Sequence, residues 1–133
     1  MCSEEVQDKD MWLADSGASV HMTPQKEYFL SYESFSSPKD VKIGNNETMF
    51  AFGLGTVKVR MLVSGKWENN HLSDVWFVPE VSRNLFSVSR AVDKGYDFKV
   101  DKNGCYLSKD GRVRLVGKIT SRELCFKVKN PNA

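Results

Sequence analysis

The chain's 133 residues amount to a single domain, since compact domains hold roughly 100–200 residues, and its 41% hydrophobic and 27% charged residues are ordinary for a globular protein and exclude disorder throughout. The 19 lysines and arginines against 17 aspartates and glutamates leave a formal net charge of +2, too small and scattered an excess to draw the chain directly onto nucleic acid. No apolar run approaches the roughly 18 residues of a spanning helix, and the start Cys2-Ser3-Glu4-Glu5 has no signal-peptide core, so the expectation is a soluble, cytoplasmic chain with no membrane contact.

The lead-in, residues 1–10, is polar and of mixed charge, which suits a flexible segment better than a packed element. The domain is expected over 11–117. Met11-Trp12-Leu13-Ala14 is a short apolar run that stops at Asp15-Ser16-Gly17-Ala18-Ser19, a cluster of small turn formers, which reads as a buried strand entering a tight loop. Tyr28 to Pro38 mixes aromatics with serines. Val41-Lys42-Ile43 alternates before the turn residues Gly44-Asn45-Asn46, and marks another strand and turn.

Met49-Phe50-Ala51-Phe52 meets Gly53-Leu54-Gly55, after which Thr56 to Val63 alternates with period two. That pattern reads as a glycine-tipped hairpin followed by a long strand. Trp67 to Val78 reads as a strand with Leu72, Asp74, Trp76 and Val78 on one face and Ser73, Val75 and Phe77 on the other, ended by Pro79. Leu85, Val88 and Val92 then repeat at helical spacing between a cap at Asn84 or Ser82 and a stop at Gly95, predicting a helix of about three turns. Strands follow at Tyr96–Val100, Cys105–Ser108 and Val113–Val116, separated by Lys102-Asn103-Gly104 and Lys109-Asp110-Gly111. Residues 118–133 hold a last strand at Leu124–Val128 or form a linker to a following segment. The fold class is therefore all-β: a closed β-barrel with one short helix in its second half.

Three cysteines, Cys2, Cys105 and Cys125, are odd in number and far apart, without a Cys-x-x-Cys pair; neither a disulfide framework nor a metal site is indicated, and no cofactor is expected. Cys105 and Cys125 read as small buried hydrophobes, and Trp12, Trp67 and Trp76 as core or interface. With His71 the only other histidine, His21 reads as structural or substrate-side rather than as a metal ligand. Ser16 lacks the Gly-x-Ser-x-Gly elbow of a serine nucleophile.

Asp15-Ser16-Gly17 alone is a turn signal, but its carboxylate ends an apolar strand, where burial is costly unless the charge is used or paired. An aspartic protease needs two carboxylates in contact, one acting as base on water and the other as acid on the scissile carbonyl. No other aspartate here is followed by Ser or Thr and then Gly, so a twofold homodimer would have to bring two copies of Asp15 together.

Asp15-Ser16-Gly17-Ala18-Ser19 with His21 resembles the D-S-G-A-S-x-H start of copia-type retrotransposon proteases, retropepsin-like β-barrels cut from a Gag-Pol polyprotein. Phe52-Gly53-Leu54-Gly55 with Thr56–Arg60 is similar to the glycine-rich flap and following strand. Leu72–Glu80 is similar to L-x-D-V-hydrophobic-hydrophobic-V-P-E, and Asn84–Val88 to N-L-hydrophobic-S-V. The four stretches occur in order over roughly residues 12–95. The resemblance implies Asp15 as the catalytic carboxylate, Ser16 as a hydrogen-bonding residue across the dimer, and Gly17 and Ala18 beside the substrate backbone. It implies a flap over Met49–Val57 with Phe52, Gly53, Leu54 and Gly55 at its heart. A polypeptide substrate, the Gag-Pol polyprotein, and residence in virus-like particles follow from it. Retroviral enzymes carry an acid where Ser19 stands and Gly-Arg where Ser87-Val88 stand, so the charged pair that ties those dimers is missing here. The rival readings are a catalytically silent barrel serving as a binding or structural module, and an unrelated β-barrel interaction protein.

Overall fold

In the computed structural model, described over residues 11–15, 17–43, 47–63, 65–120 and 123–129, ten strands and one short helix follow one another. The strands are β1 Met11–Asp15, β2 His21–Thr23, β3 Phe29–Ile43, β4 Glu47–Val63 and β5 Lys66–Phe77. After β6 Asn84–Ser87 comes the helix α1 Val88–Asp93, then β7 Asp97–Asp101, β8 Gly104–Lys109, β9 Arg112–Thr120 and β10 Glu123–Lys129. One sheet holds all ten strands in the order β3-β4-β5-β2-β6-β1-β10-β9-β8-β7. A further pairing, Val128 to Met61 and Lys129 to Arg60, joins β10 back to β4. The strands β4-β5-β2-β6-β1-β10 thus form a ring, and curling the sheet until distant strands pair is how all-β folds remove edges. The all-β class expected from the sequence is the class observed.

Two clusters fill the interior. Trp12, Val57, Val59, Met61, Val75, Phe86 and Leu115 belong to the first. Alternate residues Val57, Val59, Met61 and Val63 of β4 supply one wall, as a strand with one buried face requires. Trp12 is only 1% exposed, and burying a large apolar side chain so fully contributes about 3 kcal/mol. The second cluster gathers Ala18, Val20, Met22, Val41, Ala51, Val78, Val81 and Leu85. It lies against the loop that follows Asp15.

Four expectations need correction. The hairpin of β3 and β4 pairs Ile43 with Glu47, so its turn falls at 44–46, outside the described residues. Gly53 and Gly55 sit far back in its body, Gly53 between Ser34 and Phe77 and Gly55 between Tyr32 and Val75. Their role is close approach: a Cβ at Gly55 would meet the Ser31 carbonyl, and one at Gly53 the Tyr32 hydroxyl and, at 2.6 Å, the Glu33 carbonyl.

Second, the stretch rich in aromatics and serines, given no element above, belongs from Phe29 onward to β3. Its register jumps from Ser34 opposite Gly53 to Lys39 opposite Ala51, so residues 35–38 bulge opposite Phe52, and Pro38 sits where no ladder N–H is needed. Third, β5 does not keep one phase. Gly55 faces Val75 and Val57 faces Leu72, which puts Ser73 and Asp74 opposite the single residue Thr56. Asp74 takes up the extra residue at φ 57°, a left-handed conformation that aspartate tolerates, and Leu72 and Val75 are both buried in the first cluster.

Fourth, the helix is shorter than its spacing suggested. Asn84–Ser87 is a strand buried at every position, and helix begins only at Val88, capped by the Ser87 side chain. Its stop is as expected, with Gly95 at φ 96°. The tight turn between β8 and β9, Asp110 at φ 56° and Gly111 at φ 73°, has two left-handed residues, the geometry that matches strand twist. Residues 118–120 extend β9, and β10 pairs with β1 and β9. Residues 1–10 lie outside the described residues, as does Cys2. Cys105 is a free, buried thiol whose pKa burial raises to about 11.

Candidate functional site

Asp15 is the last residue of β1, a strand held on one side by β10 and on the other by β6. The β1–β6 pair is parallel and in register from Trp12 opposite Asn84 to Asp15 opposite Ser87. Parallel strands cannot be joined by a short turn, so two segments over 60 residues apart in the chain come together here through the whole intervening sheet. The half-buried Asp15 then enters a loop that folds back onto it. The Gly17 N–H donates to Asp15 Oδ1 at 2.8 Å, and Ala18 N–H donates to the Asp15 carbonyl at 3.4 Å. A Cβ at Gly17 would lie 3.3 Å from Asp15 Oδ1, a tight contact that would press on the carboxylate. Ser16 lies outside the described residues.

The rest of the loop is fixed by Ser87. Its hydroxyl donates to the Ala18 carbonyl at 2.7 Å and accepts from Arg90 N–H at 3.1 Å, so one side chain anchors the loop after Asp15 and caps α1. Ser89 Oγ adds a longer bond to the same carbonyl, 3.4 Å. The Ser87 N–H donates to His21 Nδ1 at 2.9 Å, which leaves the imidazole neutral with its proton on Nε2. The His21 ring lies 4.6 Å from that of Phe86. Burial lowers its pKa from 6.5 to about 4; Lys94 and Arg90 push the same way, and Asp74 opposes them.

Below this layer, Thr23 Oγ1 donates to Asn84 Oδ1 at 2.6 Å, and Asn84 Nδ2 donates to the Met11 carbonyl at 3.0 Å. His21, Thr23, Asn84 and Ser87 are the buried polar residues among those described, and all four stand on β2 or β6 behind Asp15. Buried polar groups need partners, and a satisfied network specifies one arrangement of the strands that share it. Sequence reasoning missed this frame: Asn84 read as a helix cap, Ser87 entered only as part of a motif, and His21 had no partner in view. The signal was there in Ser87 and Asn84 flanking two apolar residues within a run too short to be amphipathic.

Gly17 and Ala18 are thus brought to Asp15. Phe52, Gly53, Leu54 and Gly55 are placed in the three-stranded body β3-β4-β5, with Phe52 exposed. The part of the hairpin that does reach the Asp15 loop lies nearer its turn: Val41 and Ala51 share the second cluster with Ala18, and Ile43, Met49 and Leu13 pack on it. A cavity of about 100 Å³ lies behind the site, lined in part by His21 and Phe86 but by none of Asp15, Gly17 and Ala18. Among the described residues no three His, Cys, Asp or Glu side chains group as metal ligands, and no helix is long and apolar enough to cross a membrane.

A family model described as "Pol polyprotein, beta-barrel domain" matches residues 12–96, the span from the second residue of β1 to the residue before β7. No solved structure matches the chain.

Proposed function

The chain belongs to the family of Pol polyprotein β-barrel domains, a retroelement Pol region, and from that premise we propose that it is an aspartic endopeptidase of copia type, active as a homodimer on its own Gag-Pol polyprotein. The observation that carries this reading is the placement of Asp15 at the mouth of the parallel β1–β6 pair, with its carboxylate oriented by Gly17 N–H and its loop tied down through Ser87 and Ala18. A lone carboxylate built into a rigid frame at a strand end is what a shared dyad asks of each subunit. Two such groups in contact hold one proton between them, one Asp drawing a proton from water as the other donates to the carbonyl. The β3–β4 hairpin shares a cluster with Ala18 through Val41 and Ala51, which supports a role for it in covering a peptide laid across Asp15.

The test uses the purified chain and peptides spanning candidate polyprotein junctions. Cleavage rate is followed against enzyme concentration at mildly acidic pH, with sedimentation under the same conditions. Specific activity should fall on dilution as the dimer dissociates. Constant specific activity over a range where only monomer sediments would overturn the homodimeric reading. Failure to cut any junction peptide as a verified dimer would favour the silent binding module.

A further inference from the structure

Serine or threonine stands before proline at two places in the chain, Thr23-Pro24 and Ser37-Pro38, and the fold treats them oppositely. Thr23 is 0% exposed, and its hydroxyl is engaged on Asn84 Oδ1 at 2.6 Å. Ser37 lies in the bulge of β3, between Ser34 opposite Gly53 and Lys39 opposite Ala51, and Ser36, Ser37, Pro38 and Lys39 are all exposed. β3 also ends the sheet, with β4 as its one strand neighbour among the described residues. Beside the bulge, Lys39 Nζ sits 4.5 Å from the centroid of the Phe35 ring and 5.8 Å from that of Trp76. The two rings meet edge to face at 5.1 Å. An exposed ammonium on an aromatic face is a weak contact.

We propose that Ser37 is the acceptor of a phosphoryl group from a proline-directed serine/threonine kinase, and that the phosphate draws Lys39 off the Phe35–Trp76 ring pair. The Ser37 oxygen attacks the γ-phosphorus of Mg-ATP. The new O–P bond forms as the bond from that phosphorus to the β–γ bridging oxygen breaks, ADP leaves, and the serine proton passes to the kinase's catalytic aspartate. Proline carries no N–H, so a kinase cleft that offers the residue after the acceptor no hydrogen-bond partner selects Ser-Pro. Pro38 also keeps the residue before it extended, and residues 35–38 hold no paired position on β4, so an exposed, extended edge segment is what such a cleft meets. The phosphate brings a charge of about −1.5 to −2 to within two residues of Lys39. An ammonium binds a phosphate through charge-assisted hydrogen bonds, which outweigh its hold on the rings. Phe35 and Trp76 both pack on the second cluster, which includes Ala18, so the switch acts on the packing that the hairpin shares with the Asp15 loop. It stands whether or not the chain cleaves peptides.

The experiment incubates the intact, folded chain with Mg-ATP and a proline-directed serine/threonine kinase, and separately with a serine kinase that selects basic residues. The first should add one phosphoryl group, mapped to Ser37 by mass spectrometry of its peptides, and the second should leave Ser37 unmodified. Pro38→Ala should slow the modification about 10-fold or more, because the alanine N–H is left unmatched in the cleft. Ser36→Ala should be modified as the parent is. Once Ser37 is phosphorylated, the Lys39 methylene resonances, held over two rings in the parent, and the Trp76 indole N–H resonance should both shift in NMR spectra. In Lys39→Gln the same phosphorylation should leave Trp76 nearly unmoved. No incorporation into the parent, incorporation at Thr23 or Ser36 in place of Ser37, or Lys39 and Trp76 resonances that stay where they were would each overturn the assignment. All three are read on the unaltered chain, so none depends on a variant folding.

Discussion

Asp15 and Ser87 stand opposite each other at the end of the parallel β1–β6 pair, and Ser87 Oγ reaches past that register to hold the Ala18 carbonyl at 2.7 Å. The strand that carries the acid and the loop that follows it are therefore clamped by one residue, which also caps α1. Ser87→Ala removes both side-chain bonds. A lost serine cap costs about 1 kcal/mol, and the Ala18 carbonyl, left with only the longer bond from Ser89 Oγ at 3.4 Å, adds up to about another 1 kcal/mol. Urea unfolding should show a lower midpoint with the slope unchanged, together with slower peptide cleavage because the loop is looser. A midpoint within error of the parent would mean that the clamp stabilises nothing.

Asp15→Asn tests the acid itself. The amide retains an oxygen to accept from Gly17 N–H, as Asp15 Oδ1 does at 2.8 Å, so the loop and the unfolding midpoint should be nearly unchanged. Cleavage should fall at least about 100-fold, the lower end for losing a general acid–base group. Residual activity within a few-fold of the parent would remove Asp15 from the chemistry.

Gly55 and Gly65 predict two different costs for the same substitution. At Gly55 an added methyl runs into the Ser31 carbonyl of the neighbouring strand, so Gly55→Ala must part β3 from β4, at about 1–3 kcal/mol by analogy with overpacking. At Gly65 nothing lies within 4 Å, but φ is 82°, and Gly65→Ala should cost only the left-handed strain of about 1–2 kcal/mol. Gly65→Asn should recover part of that loss, because asparagine tolerates the conformation, and Gly55→Asn should recover none. Equal rescue at both positions would refute the distinction.

The pair of glycines also shows where the sequence was legible. Gly53-Leu54-Gly55 pointed to a hairpin tip and instead lies inside β4, because glycine is used for close approach as readily as for turning, and nothing local separates the two. The register, with Ile43 facing Glu47, shows that β3 and β4 connect across the other turn signal, Gly44-Asn45-Asn46. The strand-rich pattern, Gly95 as a stop and the Asp110-Gly111 turn were readable because each depends on a residue and its immediate neighbours. Asn84–Ser87 was not, since a strand buried on both faces has no alternation to detect, and the spacing of Leu85, Val88 and Val92 imitated a helix. The Asp15 loop was found from its motif. The polar frame behind it could not be, because Thr23 with Asn84 and His21 with Ser87 pair across more than 60 residues.

His21 gives the fold a pH dependence of definite sign. It is buried, accepts from Ser87 N–H through Nδ1 at 2.9 Å, and its pKa is lowered from 6.5 to about 4, chiefly by burial, with Lys94 and Arg90 reinforcing the shift and Asp74 opposing it. Between those two values the unfolded chain binds a proton that the folded chain refuses, so the stability this neutral histidine supports is complete above pH 6.5 and is lost as pH falls toward 4. A fall from 6.5 to about 4 corresponds to about 3 kcal/mol across that window. The direction opposes that of the proposed dyad, which becomes less repulsive when its shared proton is bound, so acid that favours assembly also loosens the frame behind each Asp15. His21→Asn keeps an acceptor near Ser87 N–H and removes the titration. Urea midpoints measured from pH 7.5 to pH 4 should fall more steeply for the parent than for His21→Asn, the two curves separating below pH 6.5. Curves that run parallel across the whole window would show that His21 does not couple protonation to folding.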